Sequence, residues 1–100
     1  MGAKVKISKL DNQLLEAVDK CDLDGVKKAL ETGANPNAKD EYCDTVLIHA
    51  VERANEKLAM ELTKLLLENG ADATIVNDQG KTALIIASNA EVINLLKNPK

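Results

Sequence analysis

The chain has 100 residues, about one domain's worth, of which 45% are apolar, 16 acidic and 13 basic, with a net charge of −3. A single tyrosine is its only aromatic residue, so its core must be built from aliphatic side chains. The acidic balance argues against a nucleic-acid-binding protein, which usually has a basic face. No apolar run approaches the roughly 18 residues of a membrane-spanning helix, and the N-terminus lacks a signal peptide's apolar stretch. We therefore expect an intracellular, cytoplasmic protein without nucleic-acid or membrane partners.

The first predicted element is a helix over Gln13–Lys20, capped by Asp11 or Asn12. A second helix follows, with Asp22 as its cap, and Gly33 ends it because glycine tolerates a left-handed backbone. Apolar residues recur at helical spacing in both segments. The residues expected to face inward are Leu14, Leu15, Ala17, Val18, Gly25, Val26, Ala29 and Leu30.

A short motif then recurs along the chain. Asn12–Ala17, Thr45–Ala50 and Thr82–Ala87 each begin with a polar residue that can cap a helix and end with alanine five positions later. The first two copies are 33 residues apart and the last two are 37 apart. Gly-Ala pairs at Gly33 and Gly70 repeat with the same spacing of 37. The repeated motif therefore predicts a stack of units, each with two helices and a turn, in which the middle unit has four additional residues.

Those four residues fall between Val51 and Leu65, in a segment without glycine or proline and rich in helix-forming residues. Because four residues are close to one helical turn, we expect longer helices on a modestly longer connection near Ala54–Glu56. The expected inward stripe of the second helix is Leu58, Leu62, Leu65 and Leu66.

The last unit begins at the cap Thr82, and Ser88-Asn89 leads quickly into a helix over Ala90–Lys97. Pro99 follows that helix, where it must stop. At the other end of the chain, residues 1–10 are expected to lie against the first helix as an irregular start. The residues expected to pack in the last unit are Leu84, Ile85, Ile86, Ala87, Val92, Ile93, Leu95 and Leu96.

These features resemble the ankyrin repeat, a helix–turn–helix unit with a period of about 33 residues. Thr45–Ala50 and Thr82–Ala87 look like the family's Thr-Pro-Leu-His-x-Ala sequence, although its proline and histidine are replaced in both copies. Gly33–Asp40 and Leu65–Asp72 are the segments most similar to the family. The resemblance covers about Asp11 to Asn98. It implies an all-α fold, an ankyrin-repeat solenoid of stacked helix–turn–helix units joined by short β-hairpin-like turns.

The resemblance also implies a single domain over residues 1–100, with repeats at about 8–40, 41–77 and 78–100. The expected function is non-catalytic binding of another protein through the concave face and the turn tips. The alternative is a structural or regulatory subunit that self-associates or assembles through its exposed end repeats. We expect a monomer in the first case, and a dimer through an uncapped end is an outcome of the second.

In ankyrin stacks, partners usually contact the turn tips and the exposed face of the first helices. By the repeat register, the implied partner-binding residues are Asp19, Lys20, Glu41, Tyr42, Asp44, Glu52, Arg53, Asp78, Gln79, Lys81 and Asn89. Taken alone, each of these residues is better explained as ordinary solvated surface, and the binding interpretation depends on their forming a contiguous set. Tyr42 is singled out because tyrosine buries a large area with few rotatable bonds at interfaces. Its alternative role is simple packing over the neighbouring turn.

No residue pattern typical of an enzyme is present in the sequence. His49, the only histidine, has no serine or cysteine nucleophile spaced beside it, which favours a structural role. Cys21 and Cys43 lack the spacing of a zinc site and are expected to be free thiols in a reducing compartment. No glycine-rich phosphate-binding motif occurs. We expect no catalytic residues, no cofactor and no metal.

Overall fold

Three pairs of packed helices make up the protein in the computed structural model, which describes residues 8–97. The pairs are α1 (Lys9–Asp19) with α2 (Leu23–Thr32), α3 (Val46–Val51) with α4 (Glu56–Glu68), and α5 (Ala83–Ile86) with α6 (Ala90–Lys97). Each pair with the turn that follows it is called a unit. α3 contacts both α1 and α5, and α4 contacts both α2 and α6, so first helices form one row and second helices another.

The all-α stack of helix–turn–helix units is therefore confirmed. Within residues 8–97, the only β-type pairing is one isolated antiparallel bridge between Lys39 and Thr45, in the turn before α3. In the same part of the chain, no helix is both long and apolar enough to cross a membrane. The expectations for residues 1–7 and for Pro99 lie outside the described residues.

Aliphatic side chains from all three units form one continuous core. Its largest fully buried residues include Leu14, Leu47, Ile48, Leu62 and Leu66. The alanine that ends each copy of the repeated motif is buried in every unit, at Ala17, Ala50 and Ala87. Because alanine is small, it allows the first helices of neighbouring units to pack closely, whereas added side-chain volume in a well-packed core is destabilising.

The first helix begins earlier than the sequence pattern indicates. Ser8, and not Asp11 or Asn12, is its N-cap: the Ser8 hydroxyl accepts a hydrogen bond from the Asp11 backbone N–H at 3.1 Å. The cap prediction was wrong because the Asp11 carboxylate has another role. It accepts the backbone N–H of Asn35 at 2.8 Å and so ties α1 to the turn that ends its own unit.

The other predicted helix ends are confirmed. The side chains of Asp22, Thr45 and Thr82 each accept the backbone N–H three residues later, at 3.0, 3.1 and 3.3 Å. Gly33 and Gly70 follow α2 and α4 with φ values of +117° and +95°, which side chains with a Cβ rarely adopt.

The four additional residues of the second unit lie within α4 and its C-terminal end. α4 has 13 residues where α2 has 10, and Asn69 adds one more before the left-handed glycine. The expected longer helix is confirmed, and the connection before it, residues 52–55, is one residue longer than residues 20–22 of the first unit, although the additional residues do not lie there. Asn55 caps α4 five residues after the motif alanine Ala50, and Asp22 caps α2 five residues after the motif alanine Ala17. With its start fixed in this way, the helix is extended only at its other end.

The buried face of α4 is rotated relative to the expected stripe. Its buried residues are Ala59, Leu62, Thr63 and Leu66. This i, i+3, i+4, i+7 spacing defines one side of a helix, and the predicted leucines outside it lie at its edges. Across the three units, the expected inward residues that are only partly buried are Gly25, Leu30, Leu58, Leu65, Ile86, Ile93 and Leu95.

Two residues of the last unit depart further from the prediction. Leu84 and Ile85, expected to pack, are 36% and 64% exposed, whereas Leu47 and Ile48 at the same motif positions are 1% and 0% exposed. The difference follows from the neighbours of each helix. α3 lies against α1 on one side and α5 on the other, but among the described helices α5 packs mainly on α3 and α6.

Replacing Leu62 by alanine is expected to lower the free energy of unfolding by about 3 kcal/mol, because a fully buried leucine leaves a cavity. Met60 on the same helix is partly exposed, so Met60→Ala should lower the free energy of unfolding by only about 1 kcal/mol. Urea unfolding of both variants measures the difference. Equal losses would contradict the packing of α4.

Replacing Thr63 by valine is expected to raise the free energy of unfolding by about 1 kcal/mol. The Thr63 hydroxyl is fully buried and has no hydrogen-bond partner among the described residues, so its removal relieves a desolvation penalty. Thr32→Val is the control, since the exposed Thr32 hydroxyl donates to the Lys28 carbonyl at 2.6 Å. Thermal and urea unfolding should show a gain for the first variant only. Destabilisation by Thr63→Val would mean that this hydroxyl does have a partner.

Candidate functional site

The turns before α3 and α5 are closed by the same pattern of hydrogen bonds. Asp40 Oδ1 accepts the backbone N–H groups of Tyr42 and Asp44 at 2.8 and 3.0 Å. One repeat later, Asn77 Oδ1 accepts the N–H groups two and four residues further on, at 2.9 and 3.0 Å. In both turns the first residue also donates its N–H to the carbonyl four residues on. The predicted position of Tyr42 at a turn tip is confirmed, and its side chain is 66% exposed.

Side-chain amides link the turns of neighbouring units. Asn77 Nδ2 donates to Asp44 Oδ1 at 3.0 Å, and Asn37 Oδ1 accepts the backbone N–H of Asp72 at 2.6 Å. The Asp72 carboxylate accepts hydrogen bonds from the Thr74 hydroxyl and from the Thr74 backbone N–H. These two bonds, the hydroxyl's being the larger effect, lower the pKa of Asp72. The turn tips are therefore fixed relative to each other as well as internally.

A groove of about 710 Å³ lies between these two turns and the first helices of the second and third units. It is lined by Tyr42, Asp44, Glu52, Asn77, Asp78, Gln79, Lys81, Ile85 and Ile86. Six of these were predicted from the repeat register as partner-binding residues: Tyr42, Asp44, Glu52, Asp78, Gln79 and Lys81.

The other predicted residues lie outside this groove. Glu41 is exposed next to Tyr42, and Lys20 is exposed at the C-terminal end of α1. Asn89 accepts the backbone N–H of Glu91 at 2.9 Å and donates to the Glu56 carbonyl at 3.1 Å, so it holds α6 against α4. The remaining two, Asp19 and Arg53, belong to a separate group of charged side chains.

Three residues of the groove were not predicted as site residues. Asn77 could have been found from the sequence, because it stands 37 residues after Asp40 at the start of the equivalent turn. Ile85 and Ile86 were assigned to the core because they continue the apolar motif. Nothing in the local sequence argues against that assignment, because Thr82–Ala87 repeats the apolar pattern of Thr45–Ala50.

His49 joins the first two units through both nitrogens of its ring. Nδ1 lies 2.8 Å from Asp19 Oδ1, and Nε2 lies 2.7 Å from Asp40 Oδ2. A neutral imidazole donates through only one nitrogen, so two short contacts to carboxylates favour the protonated ring. Burial of the ring lowers its pKa, but the hydrogen bonds to Asp19 and Asp40 outweigh that effect, and the pKa of His49 is raised.

Arg53 completes this group of side chains, which is called the histidine network (Asp19, Asp40, His49 and Arg53). Arg53 Nε donates to the His49 carbonyl at 2.9 Å, and Nη1 donates to the Asp19 carbonyl at 3.1 Å. The network thus connects α1, the turn before α3 and the end of α3. With both ring nitrogens occupied, His49 has no free lone pair for a general base, in agreement with a structural role.

Asp40, Asp44 and His49 each place one atom of a metal-ligand type within 4.8 Å of the others. A histidine nitrogen and carboxylate oxygens are a donor set that transition metals accept. The same groups already have hydrogen-bond partners: His49 Nε2 pairs with Asp40, and Asp44 Oδ1 accepts the amide of Asn77. The hydrogen-bonding groups of this cluster are therefore satisfied within the protein, by the His49 ring proton at Asp40 and by the Asn77 amide at Asp44.

Cys21 and Cys43 are both free thiols, as expected, and both are partly buried. Cys21 follows α1 and Cys43 lies in the turn before α3. Their φ values are +57° and +65°, the left-handed region that residues other than glycine adopt only at tight turns.

Stacked helix pairs that contact only their neighbours, with turns fixed from unit to unit, define a helical repeat solenoid. The family model described as "Ankyrin repeats (3 copies)" matches residues 14–100. The chain therefore belongs to the ankyrin-repeat family. Ankyrin repeats are generally protein–protein interaction modules, and the fold is typically non-catalytic.

Two relatives and two solved structures illustrate the similarity. A putative ankyrin repeat protein of Rickettsia bellii is 35% identical over a 96-residue alignment that covers 87% of this chain and 55% of that protein. The human 2-5A-dependent ribonuclease is 37% identical over 85% of this chain and 11% of its own length. The crystal structure of the ankyrin repeat protein EF0377 has a TM-score of 0.80 and 34% identity, over 85% of this chain and 45% of the other.

The ankyrin repeat domain of Bcl-3, described as a member of the IkappaB protein family, has a TM-score of 0.77 and 29% identity. That match covers 85% of this chain and 36% of the other. The chain thus spans about half the length of the Rickettsia relative and a much smaller part of the ribonuclease.

Raising the pH through the pKa of His49 is expected to destabilise the protein. Because folding raises this pKa, the stabilisation is fully present below the pKa of histidine in the unfolded chain, about 6.5. It is lost as the pH rises through the higher pKa of the folded state. Urea unfolding at about pH 6 and about pH 8 should therefore show a lower free energy of unfolding at the higher pH.

His49→Gln is the control, because it removes the only histidine of the chain. Its free energy of unfolding should change less between the two pH values than that of the unaltered protein. Proton NMR of the imidazole Cε1–H gives the folded-state pKa directly. A folded-state pKa at or below the ordinary histidine value would contradict the double carboxylate contact.

Proposed function

We propose that this protein is a non-catalytic, cytoplasmic module that binds another protein through the groove and the two turn tips beside it. The observation that carries the proposal is the exposure of two large apolar side chains at one place. Tyr42 and Ile85 are 66% and 64% exposed, come from different units, and line the same groove. Grouped apolar exposure with a polar rim is typical of protein interaction sites.

The rigidity of the turns supports the same function. Tyr42 lies in a turn closed by Asp40, and that turn is linked to the next one by Asn77 and Asp44. Association with a partner is opposed by the ordering of loops and side chains at the interface. A groove whose walls are already fixed by hydrogen bonds loses less entropy on binding than one built from free loops.

One observation favours the alternative of self-association. Leu84 in the last unit is 36% exposed, whereas the equivalent Leu47 is 1% exposed on α3, a helix that contacts both α1 and α5. A second copy stacked on this unit would cover it. Light scattering after size exclusion separates the two functions, because a binding module is expected to be monomeric at micromolar concentration and a stacking subunit is not.

Tyr42→Ala tests the proposed binding site. A partner isolated by pull-down and then purified is expected to bind the variant about 2 kcal/mol more weakly, because exposed tyrosines in interface centres contribute strongly to affinity. The free energy of unfolding should stay within about 0.5 kcal/mol, since the side chain is exposed. Calorimetric titration and urea unfolding give both quantities.

Lys64→Ala serves as the matched control, because Lys64 is exposed on α4 in the row of second helices, and its change should leave affinity unaltered. Unchanged affinity of Tyr42→Ala for a partner that binds the unaltered protein would refute the proposed site. A loss of affinity that matches a loss of folded protein would refute it equally.

A further inference from the structure

The groove combines apolar exposure with carboxylates that lack a cationic partner. Asp44, Glu52 and Asp78 line it together with a single cation, Lys81. The ion pairs among the described residues all involve other acids, Asp19 and Asp40. Asp44 accepts a hydrogen bond from the amide of Asn77, which orients it without neutralising its charge. The His49 ring lies within 4.8 Å of the Asp44 carboxylate, but its charge is already shared by Asp19 and Asp40. The groove therefore carries uncompensated negative charge.

The cation nearest along the chain does not compensate that charge. Arg53 follows Glu52 directly, but its guanidinium donates to the carbonyls of His49 and Asp19, on the side of the histidine network. Glu52 itself is exposed and has no ion-pair partner in the part of the chain that the structure describes. The histidine network thus neutralises its own acids and leaves those of the groove available.

Building on the proposed function, we infer that the groove binds a segment of a partner protein in which an arginine or lysine stands beside an apolar side chain. The apolar side chain would pack on Tyr42 and Ile85, and the cation would lie among Asp44, Glu52 and Asp78. Arginine suits the site better than lysine, because its planar guanidinium forms two parallel hydrogen bonds with one carboxylate and can also stack on an aromatic ring. Charge complementarity of this kind also speeds association and disfavours acidic partners.

The probe is a displayed library of random twelve-residue peptides, selected on the 100-residue protein and counter-selected on its Tyr42→Ala variant. Recovered peptides are expected to be enriched in arginine next to leucine, methionine or an aromatic residue. The strongest peptide is then synthesised, and its affinity is measured with the fluorescence of Tyr42, the only aromatic residue of the protein. Its binding should weaken as salt rises, since exposed charge pairs are screened.

Glu52→Gln and Asp78→Asn, both at exposed positions, remove groove charge with little change in shape. Each is expected to weaken binding of the arginine-containing peptide about three- to fivefold, the upper part of the range for exposed ion pairs. Glu16→Gln and Glu68→Gln are the matched controls, because these acids are exposed outside the groove, and they should leave affinity unchanged. Far-ultraviolet circular dichroism checks that every variant is folded.

The outcomes separate the inference from the function on which it rests. The inference is overturned if the selected peptides bind through Tyr42 but lack basic residues. It is also overturned if Glu52→Gln and Asp78→Asn leave their affinity unchanged. Neither result would contradict the proposed binding site. Recovery of acidic peptides, or of no peptide at all, also overturns the inference. A natural partner whose affinity is unaffected by Tyr42→Ala overturns the proposed function itself.

Discussion

The structure depends on the close approach of consecutive helix pairs, because no pair alone can bury its apolar face. The aliphatic core runs through all three units, and it contains no aromatic side chain that could fill a wide space between helices. Buried alanine at the same motif position in each unit keeps the first helices close. Stability is then a sum of unit and neighbour contributions, as expected for stacked repeats.

Close stacking also creates the polar contacts that fix the site. When one unit lies directly on the next, a side chain in one turn reaches the corresponding turn of its neighbour. Asn37 reaches Asp72 in this way, and Asn77 reaches Asp44. His49 does the same for the helices, with Asp19 in one unit and Asp40 in the turn before its own. The walls of the groove are held by hydrogen bonds within and between the turns, because each unit lies directly on the next.

Features decided by neighbouring residues could be predicted from the sequence. The helix pairs, the caps at Asp22, Thr45 and Thr82, and the left-handed Gly33 all follow from local chemistry, and the structure has them in place. The missed cap at Ser8 also carried a local signal, since serine followed three residues later by an acid is a helix-start pattern. What obscured it was the more conspicuous motif copy four residues further on.

Features decided by the stack could not be predicted in the same way. Ile48 and Ile85 stand at one position of the repeated motif, yet one is fully buried and the other is 64% exposed. The local sequence is alike in both copies, so the difference comes from whether a further unit covers the helix. Likewise, nothing near His49 identifies Asp19 as its partner, since the two are 30 residues apart. Such contacts depend on how units are placed against each other.

This dependence on position explains how a nearly uniform repeat can carry a specific surface. Equivalent residues differ in the two turns that border the groove: Tyr42 in one corresponds to Gln79 in the other, and Asp44 to Lys81. The apolar contact area is therefore contributed by the turn that ends the first unit and by α5 of the third unit, since Tyr42 and Ile85 line the same groove. Because the backbone frame is the same in each unit, such substitutions change the groove's charge and shape without altering the stack. The chemistry of binding is set by the differences between repeats, and its geometry by what they share.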